Sequence, residues 1–353
     1  MSHVPRILGL GTAAAESAAS REESLALSVD HAGALDRERV ETLYREAGVR
    51  ERGCILGLEG MRSQLLEAGE LGATTRERLD RFMPHASALG ERAARAALED
   101  ARCTAASVTH VVTVSCTGAE SPGIDHQLIA RLGLSPDVSR THIGFMGCHA
   151  AINALAVASA FVRADPDAVV LVACVELCSL HFQVGTTSWD QQVANAIFAD
   201  GAACAVVGRG AGRCGIERFA SRIFPGTEHL MRWDIGDHGF EMTLSPRVPG
   251  VIKRGIAGWL DEWLGSHDLE RSEITGWAVH PGGRDILEGV RRGLDLDQNA
   301  LAASHRILEH QGNMSSGTIL WVLSDLLEQD LPGPILGLSF GPGLTGEAVL
   351  LVR

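Results

Sequence analysis

Positive charge and long apolar runs are scarce in this 353-residue sequence. Lys253 is the one lysine, so almost every cationic side chain is arginine, and the net charge is −13. This negative balance argues against nucleic acid or an anionic membrane as the main partner. The apolar runs fall well short of the roughly 20 residues that a spanning helix needs, so we expect no membrane insertion. The short apolar stretch at residues 6–15 is better explained as a first strand and turn than as a signal peptide.

Paired spacings for disulfides or metals are also missing. The eight cysteines include no Cys-x-x-Cys pair, and most lie in apolar contexts. Such usage is typical of a reduced, cytoplasmic protein without a disulfide or zinc framework. The fourteen histidines form neither His-x₃-His nor His-Glu-x-x-His patterns, so we predict no metal site.

The sequence does contain alternating strand-like and helix-like segments, which indicate a layered α/β fold. The strand-like runs are residues 108–115, 168–175, 203–207, 274–280, 335–340 and 347–352. The helix-like runs are residues 86–100, 124–132, 150–162, 251–264 and 317–327. The length allows two domains or one large two-part domain. The Gly- and Arg-rich residues 208–213 are either the boundary between two halves or a hairpin loop.

Cys148 lies where a strand-like run gives way to a helix of small residues. A helix N-terminus presents unpaired N–H groups and the positive end of the helix dipole. We therefore expect a thiolate to be stabilised there and the pKa of Cys148 to fall, which would make the sulfur a nucleophile. The alternative is a buried, inert structural cysteine.

Two later polar segments favour the catalytic interpretation. His280 ends a strand-like run and is followed by Pro-Gly-Gly, while Asn313 lies in a polar loop that opens onto an apolar helix. Taken alone, His280 could be a satisfied strand-end histidine and Asn313 a helix cap. Together with Cys148 they are the residue types that thiolate acyl transfer requires.

The sequence resembles the type III polyketide synthases, the chalcone synthase-like family of the thiolase superfamily. Five motifs carry the resemblance, in order and across nearly the whole chain. They are Gly147-Cys148, Phe198-Ala199-Asp200-Gly201-Ala202-Ala203, His280-Pro281-Gly282-Gly283, Gly312-Asn313-Met314-Ser315-Ser316 and Gly341-Pro342-Gly343-Leu344-Thr345.

The resemblance implies a thiolase-like αβαβα layered fold made of two pseudo-duplicated halves, residues 1–212 with the cysteine and residues 213–353 with the histidine and asparagine. It further implies a homodimer with the active site between the halves. Cys148 would carry the acyl group, and His280 and Asn313 would hold the thioester oxygen during decarboxylation of malonyl-CoA. Phe198 would close off the reaction volume from water. CoA thioesters are substrates, and no metal or redox cofactor is implied.

Further positions matched to the family concern the cavity and the CoA site. Ser121 replaces a bulky residue that reaches into the partner subunit, and Met242 replaces a phenylalanine. Thr117 and Cys178 resemble residues that open an acyl tunnel in alkylpyrone-forming members. The other expected cavity residues are Cys116, His181 and Ser315, and the expected CoA-binding residues are Arg39, Gly282, Gly283 and Asp285.

These cavity positions leave the product open. The tunnel residues favour a medium- or long-chain fatty acyl starter, extended to an alkylpyrone or alkylresorcinol. Cys116 instead matches members that make tetrahydroxynaphthalene from malonyl-CoA alone. The third possibility is a β-ketoacyl-carrier-protein synthase III, although its histidine motif differs from His-Pro-Gly-Gly. A non-catalytic partner subunit is a further alternative, which the presence of Cys148 disfavours.

Two departures from the family pattern affect substrate delivery. His149 follows the nucleophile where the family has Phe or Ala. The three basic CoA-binding positions of the family are Arg39, Thr42 and Glu46 here, and phosphate sites normally use Lys or Arg. Our hypothesis is therefore that CoA binds weakly or that the starter arrives on an acyl-carrier protein.

Overall fold

The computed structural model describes residues 4–30, 37–64, 69, 71–183 and 188–353. The strands are β1 Arg6–Ala14, β2 Ala18–Ser20, β3 Glu51–Gly53, β4 His110–Ser115, β5 Ser139–Gly144, β6 Val170–Leu177, β7 Asp200–Gly208, β8 Cys214–Ile223, β9 Met231–Gly236, β10 Gly239–Leu244, β11 Gly276–Val279, β12 Ile335–Gly341 and β13 Thr345–Val352. The helices are α1 Arg21–Asp30, α2 Arg37–Glu46, α3 Gly57–Arg62, α4 Thr75–Asp80, α5 Phe82–Asp100, α6 Ile124–Leu132, α7 Ala150–Ala164, α8 Trp189–Ile197, α9 Val248–Gly265, α10 Arg284–Gly293, α11 Ala302–Gln311 and α12 Thr318–Leu327.

Nine strands form one mixed sheet in the order β11-β12-β13-β8-β1-β7-β6-β4-β5. In the first half of the chain, β5, β4 and β6 are parallel and β7 is antiparallel to β6. In the second half, β11 and β12 are parallel and β13 is antiparallel to β12. The same arrangement therefore occurs twice. The two sets meet where β1 pairs with β8 through Arg6–Gly215 and Ile7–Cys214.

Helices α7 and α12 form the middle layer between the two halves of the sheet. Their apolar side chains share one buried cluster with strands of both halves, for example Val172 and Val349. The sequence of α7 is rich in alanine, and small side chains allow a helix to lie close to two sheets at once. Helices α5 and α6 cover the outer face of the first half, and α9 and α10 cover that of the second. The result is the expected αβαβα layering, and both faces of the central strands are buried.

The predicted elements lie where the sequence placed them, with small shifts at their ends. Helix α6 matches the predicted residues 124–132, and α7 begins at the predicted residue. Residues 209–213 connect β7 to β8, and they do not form a hairpin loop, because β1 lies between these two strands in the sheet. Strand β5 and the β9–β10 ribbon were not predicted, because both carry many exposed or half-exposed side chains and lack a continuous apolar run. No helix in the described ranges is long and apolar enough to cross a membrane.

Candidate active site

Cys148 lies in the turn that leads into α7, and its side chain is 8% exposed. The turn requires glycine at position 147, which has a φ of +83°. A Cβ atom there would lie 2.2 Å from Cδ of Pro342 in the loop between β12 and β13. The close approach of these two loops places Cys148 beside the segment that joins β12 and β13.

The expected fall in the pKa of Cys148 is wrong. Burial raises the pKa of this thiol to about 12, and the nearby Glu176 carboxyl acts in the same direction. Hydrogen bonds from Ser315 and Asn313 oppose the shift but do not outweigh it. The Ser315 hydroxyl oxygen lies 3.7 Å from the sulfur. Loss of water thus outweighs the helix N-terminus, because desolvation disfavours the charged form of a fully buried group.

His280 follows the end of β11, where its backbone N–H donates to the carbonyl oxygen of Leu338 at 2.7 Å. The side chain is 1% exposed, and neither ring nitrogen has a hydrogen-bond partner among the described residues. Burial lowers the pKa of His280 to about 3, and the neighbouring His149 adds to this shift. The imidazole is therefore neutral, with one N–H to donate and one lone pair to accept a proton.

Asn313 comes directly after α11 and the positive-φ residue Gly312. Its side-chain oxygen accepts hydrogen bonds from the Ser315 N–H at 2.9 Å and the Thr318 hydroxyl at 3.4 Å. With the oxygen held this way, the amide NH₂ is left to donate toward Cys148. The backbone of Asn313 pairs with the residues around Phe198, through the Ile197 carbonyl and the Ala199 N–H, both at 2.9 Å.

A narrow cavity of about 20 Å³ contacts the sulfur of Cys148, which is room for about one water molecule. The structure brings most of the predicted cavity residues together on its wall. The lining residues are Cys116, Thr117, Gly147, Cys148, Cys178, Phe198, Met231, Trp233, Met242, Ser315 and Pro342. His181 lies behind this wall and lines a second small cavity that shares Cys178, Phe198 and Trp233. Its ring stacks on Phe240 at 3.9 Å, and burial lowers its pKa to about 3.

Ser121 is the predicted cavity residue that lies elsewhere. It is exposed at the surface and does not line the cavity at Cys148. The expectation for this position concerned the cavity of a second subunit, so it stays a prediction.

A second, wider cavity of about 410 Å³ contains all four predicted CoA-binding residues. Its wall includes Arg39, Gly282, Gly283 and Asp285, together with Thr42 and Glu46 of α2 and the aromatic ring of Trp189. The guanidinium of Arg39 stacks over the Trp189 ring at 3.9 Å. The outer cavity is thus mixed in charge.

Glu176 is a buried residue beside the site that the sequence reasoning missed. Its carboxylate accepts hydrogen bonds from the Thr117 hydroxyl at 2.6 Å, the Ser316 hydroxyl at 2.5 Å and the Cys116 N–H at 3.0 Å. Burial raises the pKa of this carboxyl above its usual range. The available signal in the sequence was a single acid at the end of the apolar run of β6. An acid in a buried strand needs hydrogen-bond partners, so it indicates a buried polar cluster.

Arg52 is the second missed residue, and it holds the segment that carries Phe198. Its guanidinium donates to the carbonyl oxygens of Asn195, Ala196 and Phe198 at the end of α8, at 2.5 to 3.0 Å. The side chain is 5% exposed. A cation at a helix C-terminus is favourable, and here it satisfies carbonyls that the helix leaves open. Sequence alone offers no signal for a contact between residues so far apart.

The fold and the junction of two halves around Cys148 define a thiolase-like protein. The family model of the N-terminal domain of chalcone and stilbene synthases matches residues 5–211, and that of the C-terminal domain matches residues 216–353. The chain therefore belongs to the chalcone and stilbene synthase family, the type III polyketide synthases, which are acyltransferase-type enzymes.

Three relatives illustrate the similarity. The 1,3,6,8-tetrahydroxynaphthalene synthase of Streptomyces peucetius subsp. caesius is 36% identical over 327 residues, which cover 90% of this chain and 84% of the relative. The alpha-pyrone synthesis polyketide synthase-like Pks18 of Mycobacterium tuberculosis is 32% identical over 325 residues, 89% of this chain and 82% of the relative. The crystal structure of PKS-I from the brown alga Ectocarpus siliculosus has a TM-score of 0.91 at 32% identity and covers 99% of this chain and 98% of that one.

Proposed function

We propose that this chain loads an acyl starter on Cys148 and extends it by repeated decarboxylative Claisen condensation with malonyl-CoA, followed by cyclisation. The observation that carries the proposal is the pair of hydrogen-bonding side chains at the buried sulfur, and the unpaired imidazole of His280 supports it. Ser315 and Asn313 hydrogen bond to Cys148, and His280 is a neutral imidazole with both ring nitrogens free. Free buried polar atoms are costly unless a substrate uses them.

The proposed steps need no metal or redox cofactor. In loading, the Cys148 sulfur bonds to the acyl carbon, its proton passes to His280, and the CoA thiol leaves with that proton. Malonyl-CoA then loses carbon dioxide to give an enolate, whose oxygen accepts hydrogen bonds from His280 and Asn313. The enolate carbon attacks the carbonyl carbon of the Cys148 thioester, and the carbon–sulfur bond breaks. The sulfur leaves as a thiolate, which takes up a proton from solvent. The longer thioester can then reload Cys148 for another round.

The starter that we favour is a medium- or long-chain fatty acyl group. Three observations support it: Cys178 lies between the two small cavities, Met231 and Met242 are flexible apolar wall residues, and a relative is named for alpha-pyrone synthesis. An alkyl chain would pass Cys178 and displace the packed side chains around His181. The product would be an alkylpyrone or alkylresorcinol.

The alternative starter is malonyl-CoA itself, in a reaction of the tetrahydroxynaphthalene type. The small size of the cavity at Cys148 favours it, because a short starter needs no rearrangement of the wall. Cys116 also lies on this wall, and its sulfur accepts a hydrogen bond from the Gly147 N–H at 3.1 Å. A relative is named as a synthase of this product.

Product mass spectrometry with ¹³C-malonyl-CoA decides between the two starters. The panel runs from acetyl- to palmitoyl-CoA, and Cys148→Ala serves as the control that must abolish condensation. Cys178→Phe should block products from long starters and leave acetyl-primed products within about twofold, because it fills the route between the cavities. Products built from malonyl units alone, insensitive to added acyl-CoA, would refute the fatty acyl starter.

A homodimer is part of the same proposal. Phe145 and Met146, just before Cys148, are 41% and 39% exposed, and the adjacent strand β5 is an open sheet edge. Exposed apolar side chains beside an open edge are typical of a contact surface. Light scattering on the purified protein tests it, and a monomer at micromolar concentration would contradict it. The cytoplasm remains the location that we propose.

A further inference from the structure

Three cavities meet at Arg284, the first residue of α10. The first is the outer cavity with Arg39 and Asp285, described above. A polar cavity of about 800 Å³ continues along α10 and α11, and a third of about 370 Å³ lies beyond it against Arg21 and Arg50. Arg284 lines all three. These neighbouring cavities share Arg284 and extend outward from the predicted CoA site, and we call them together the outer path.

Some of the arginines that line these cavities form salt bridges, and others do not. Salt bridges join Arg291 and Arg292 to Glu288, and Arg306 to Asp325. By contrast, neither Arg50 nor Arg284 forms a salt bridge with a carboxylate of the described residues, although Arg50 has a longer-range interaction with Glu22. Two guanidinium groups without a close counter-ion line one concave site, in a protein with a net charge of −13.

The remaining charged groups around this site leave it locally positive. Arg21 is half-buried and has a long, exposed contact of 3.3 Å with Glu22. The Glu309 carboxylate lines the site, and its residue accepts the Arg50 N–H through the backbone carbonyl at 2.8 Å. Burial and the nearby Arg284 lower the pKa of His305, which favours its neutral form. The balance is three cations against two carboxylates, those of Glu22 and Glu309.

The positions that the family uses for phosphate are poorly suited to it here. The guanidinium of Arg39 is stacked on Trp189, Thr42 is uncharged, and Glu46 is an acid on the same cavity wall. The four negative charges of CoA would lie near the carboxylates of Glu46 and Asp285 at this wall. The cation that α2 places there, Arg39, is already stacked on an aromatic ring. The cations that are free lie further along the path.

We infer that Arg284 and Arg50, with Arg21 beside them, form the anion subsite that binds the phosphates of CoA. The inference rests on the proposed function, because it concerns delivery of the same malonyl-CoA. Arginine binds phosphate oxygens through paired N–H groups, and a concave site with little opposing charge suits a small dianion. An acidic carrier-protein surface fits less well, since it is broad and would also face Glu46 and Asp285 on the wall of the outer cavity, whereas a phosphate group needs to contact only the arginines.

The test compares two thioesters that share the reactive end. Malonyl-CoA carries the phosphates, whereas malonyl-pantetheine has none. For Arg284→Ala and Arg50→Ala we expect KM for malonyl-CoA to rise by about tenfold or more, because each variant loses a charge-assisted hydrogen bond to phosphate. The value of kcat should be nearly unchanged. KM for malonyl-pantetheine should stay within twofold. Arg284→Lys should retain most of the affinity as a point charge.

Arg306→Ala is the matched control, because Arg306 lines the neighbouring cavity but is paired with Asp325. An equal rise in KM for this variant would mean a general effect of charge and would overturn the subsite. So would an unchanged KM for Arg284→Ala. Loss of loading from an acyl-carrier protein, with malonyl-CoA unaffected, would overturn it in favour of a protein partner.

Binding of CoA itself by calorimetry separates this inference from the proposed function. Weaker binding of CoA to Arg284→Ala, with no change for pantetheine, supports the subsite whether or not the enzyme turns over. A chain that binds CoA through Arg284 but makes no polyketide would refute the proposed function alone.

Discussion

The cavity at Cys148 and the outer cavity at Arg284 differ in nearly every physical respect. The inner one holds about 20 Å³ of space between buried side chains, and the outer one about 410 Å³ with exposed charges on its wall. Inside, the carboxylate of Glu176 accepts hydrogen bonds from the Thr117 and Ser316 hydroxyls and the Cys116 N–H, whereas the ring nitrogens of His280 have no partner among the described residues. Outside, the wall carries charges of both signs, Arg39 and Arg284 beside Glu46 and Asp285.

The two cavities are therefore expected to control different properties of the protein. A buried polar group is fixed because leaving it unpaired costs about 1–3 kcal/mol, so the inner cavity resists change. An exposed charge contributes about 1 kcal/mol or less and adapts readily. The inner cavity should therefore control chemistry and product, and the outer cavity capture of substrate.

The largest expected effect comes from the inner asparagine. Asn313→Ala should lower kcat by about 10²–10³-fold, the usual loss for one donor to a developing oxyanion. Steady-state kinetics with malonyl-CoA measures it. Asn299→Ala is the control. Asn299 lines the polar cavity of about 800 Å³ along α10 and α11, so this variant should change kcat by less than twofold. Similar losses in both variants would break the distinction between the two regions.

Alkylation of Cys148 tests the charge state of the inner cavity. Because burial raises the pKa of Cys148 to about 12, the thiolate fraction is small at pH 7 and grows as the pH rises. The rate of iodoacetamide labelling should increase by about tenfold per pH unit between pH 7 and 9, since the thiolate is the nucleophile. Mass spectrometry of the Cys148 peptide follows it. A rate already level across this range would instead indicate a preformed thiolate–imidazolium pair.

Arg52→Met tests how firmly the wall of the inner cavity is held. Removing the guanidinium leaves three carbonyls at the end of α8 without their donor, so we expect the free energy of unfolding to fall by about 3 kcal/mol. Loosening of Phe198 should also raise the amount of acetyl-CoA released per polyketide formed. Urea denaturation and product analysis measure the two effects.

Arg78→Met is the matched control for that variant. Arg78 is also fully buried, but it donates to the carbonyls of Ala73, Leu180 and Phe182 rather than to the Phe198 segment. We expect a similar loss of stability without the change in released acetyl-CoA. If Arg52→Met alters stability alone, then Arg52 has no part in positioning Phe198.

The smallest expected effect belongs to the outer cavity. Glu46→Lys replaces an acid with a cation beside the path of CoA, so KM for malonyl-CoA should fall about two- to fivefold at low salt and less at high salt. Glu99→Lys, an exposed change on α5, should leave KM unaltered. A rise in KM for Glu46→Lys would mean that Glu46 itself contacts the substrate.

Local features of the sequence predicted much of this structure. The alternation of apolar segments indicated the layers, and the change from a strand-like run to alanine-rich residues marked the start of α7 beside Cys148. The motif around His280 correctly marked the end of β11, and that around Asn313 marked the polar loop before α12. The roles of Glu176 and Arg52 were not predicted, because their partners, Ser316 and Phe198, lie about 140 residues away in the chain.

By itself the sequence determined the family, the order of the elements and the three polar residues expected at the active site, since these depend on residue type and local spacing. The tertiary structure alone decided how deeply Cys148 and His280 are buried, and hence that their pKa values favour the neutral forms. It also decided which arginines lack a carboxylate partner along the outer path. The physical reason is the same in each case: desolvation and ion pairing depend on atoms that packing brings together from distant parts of the chain.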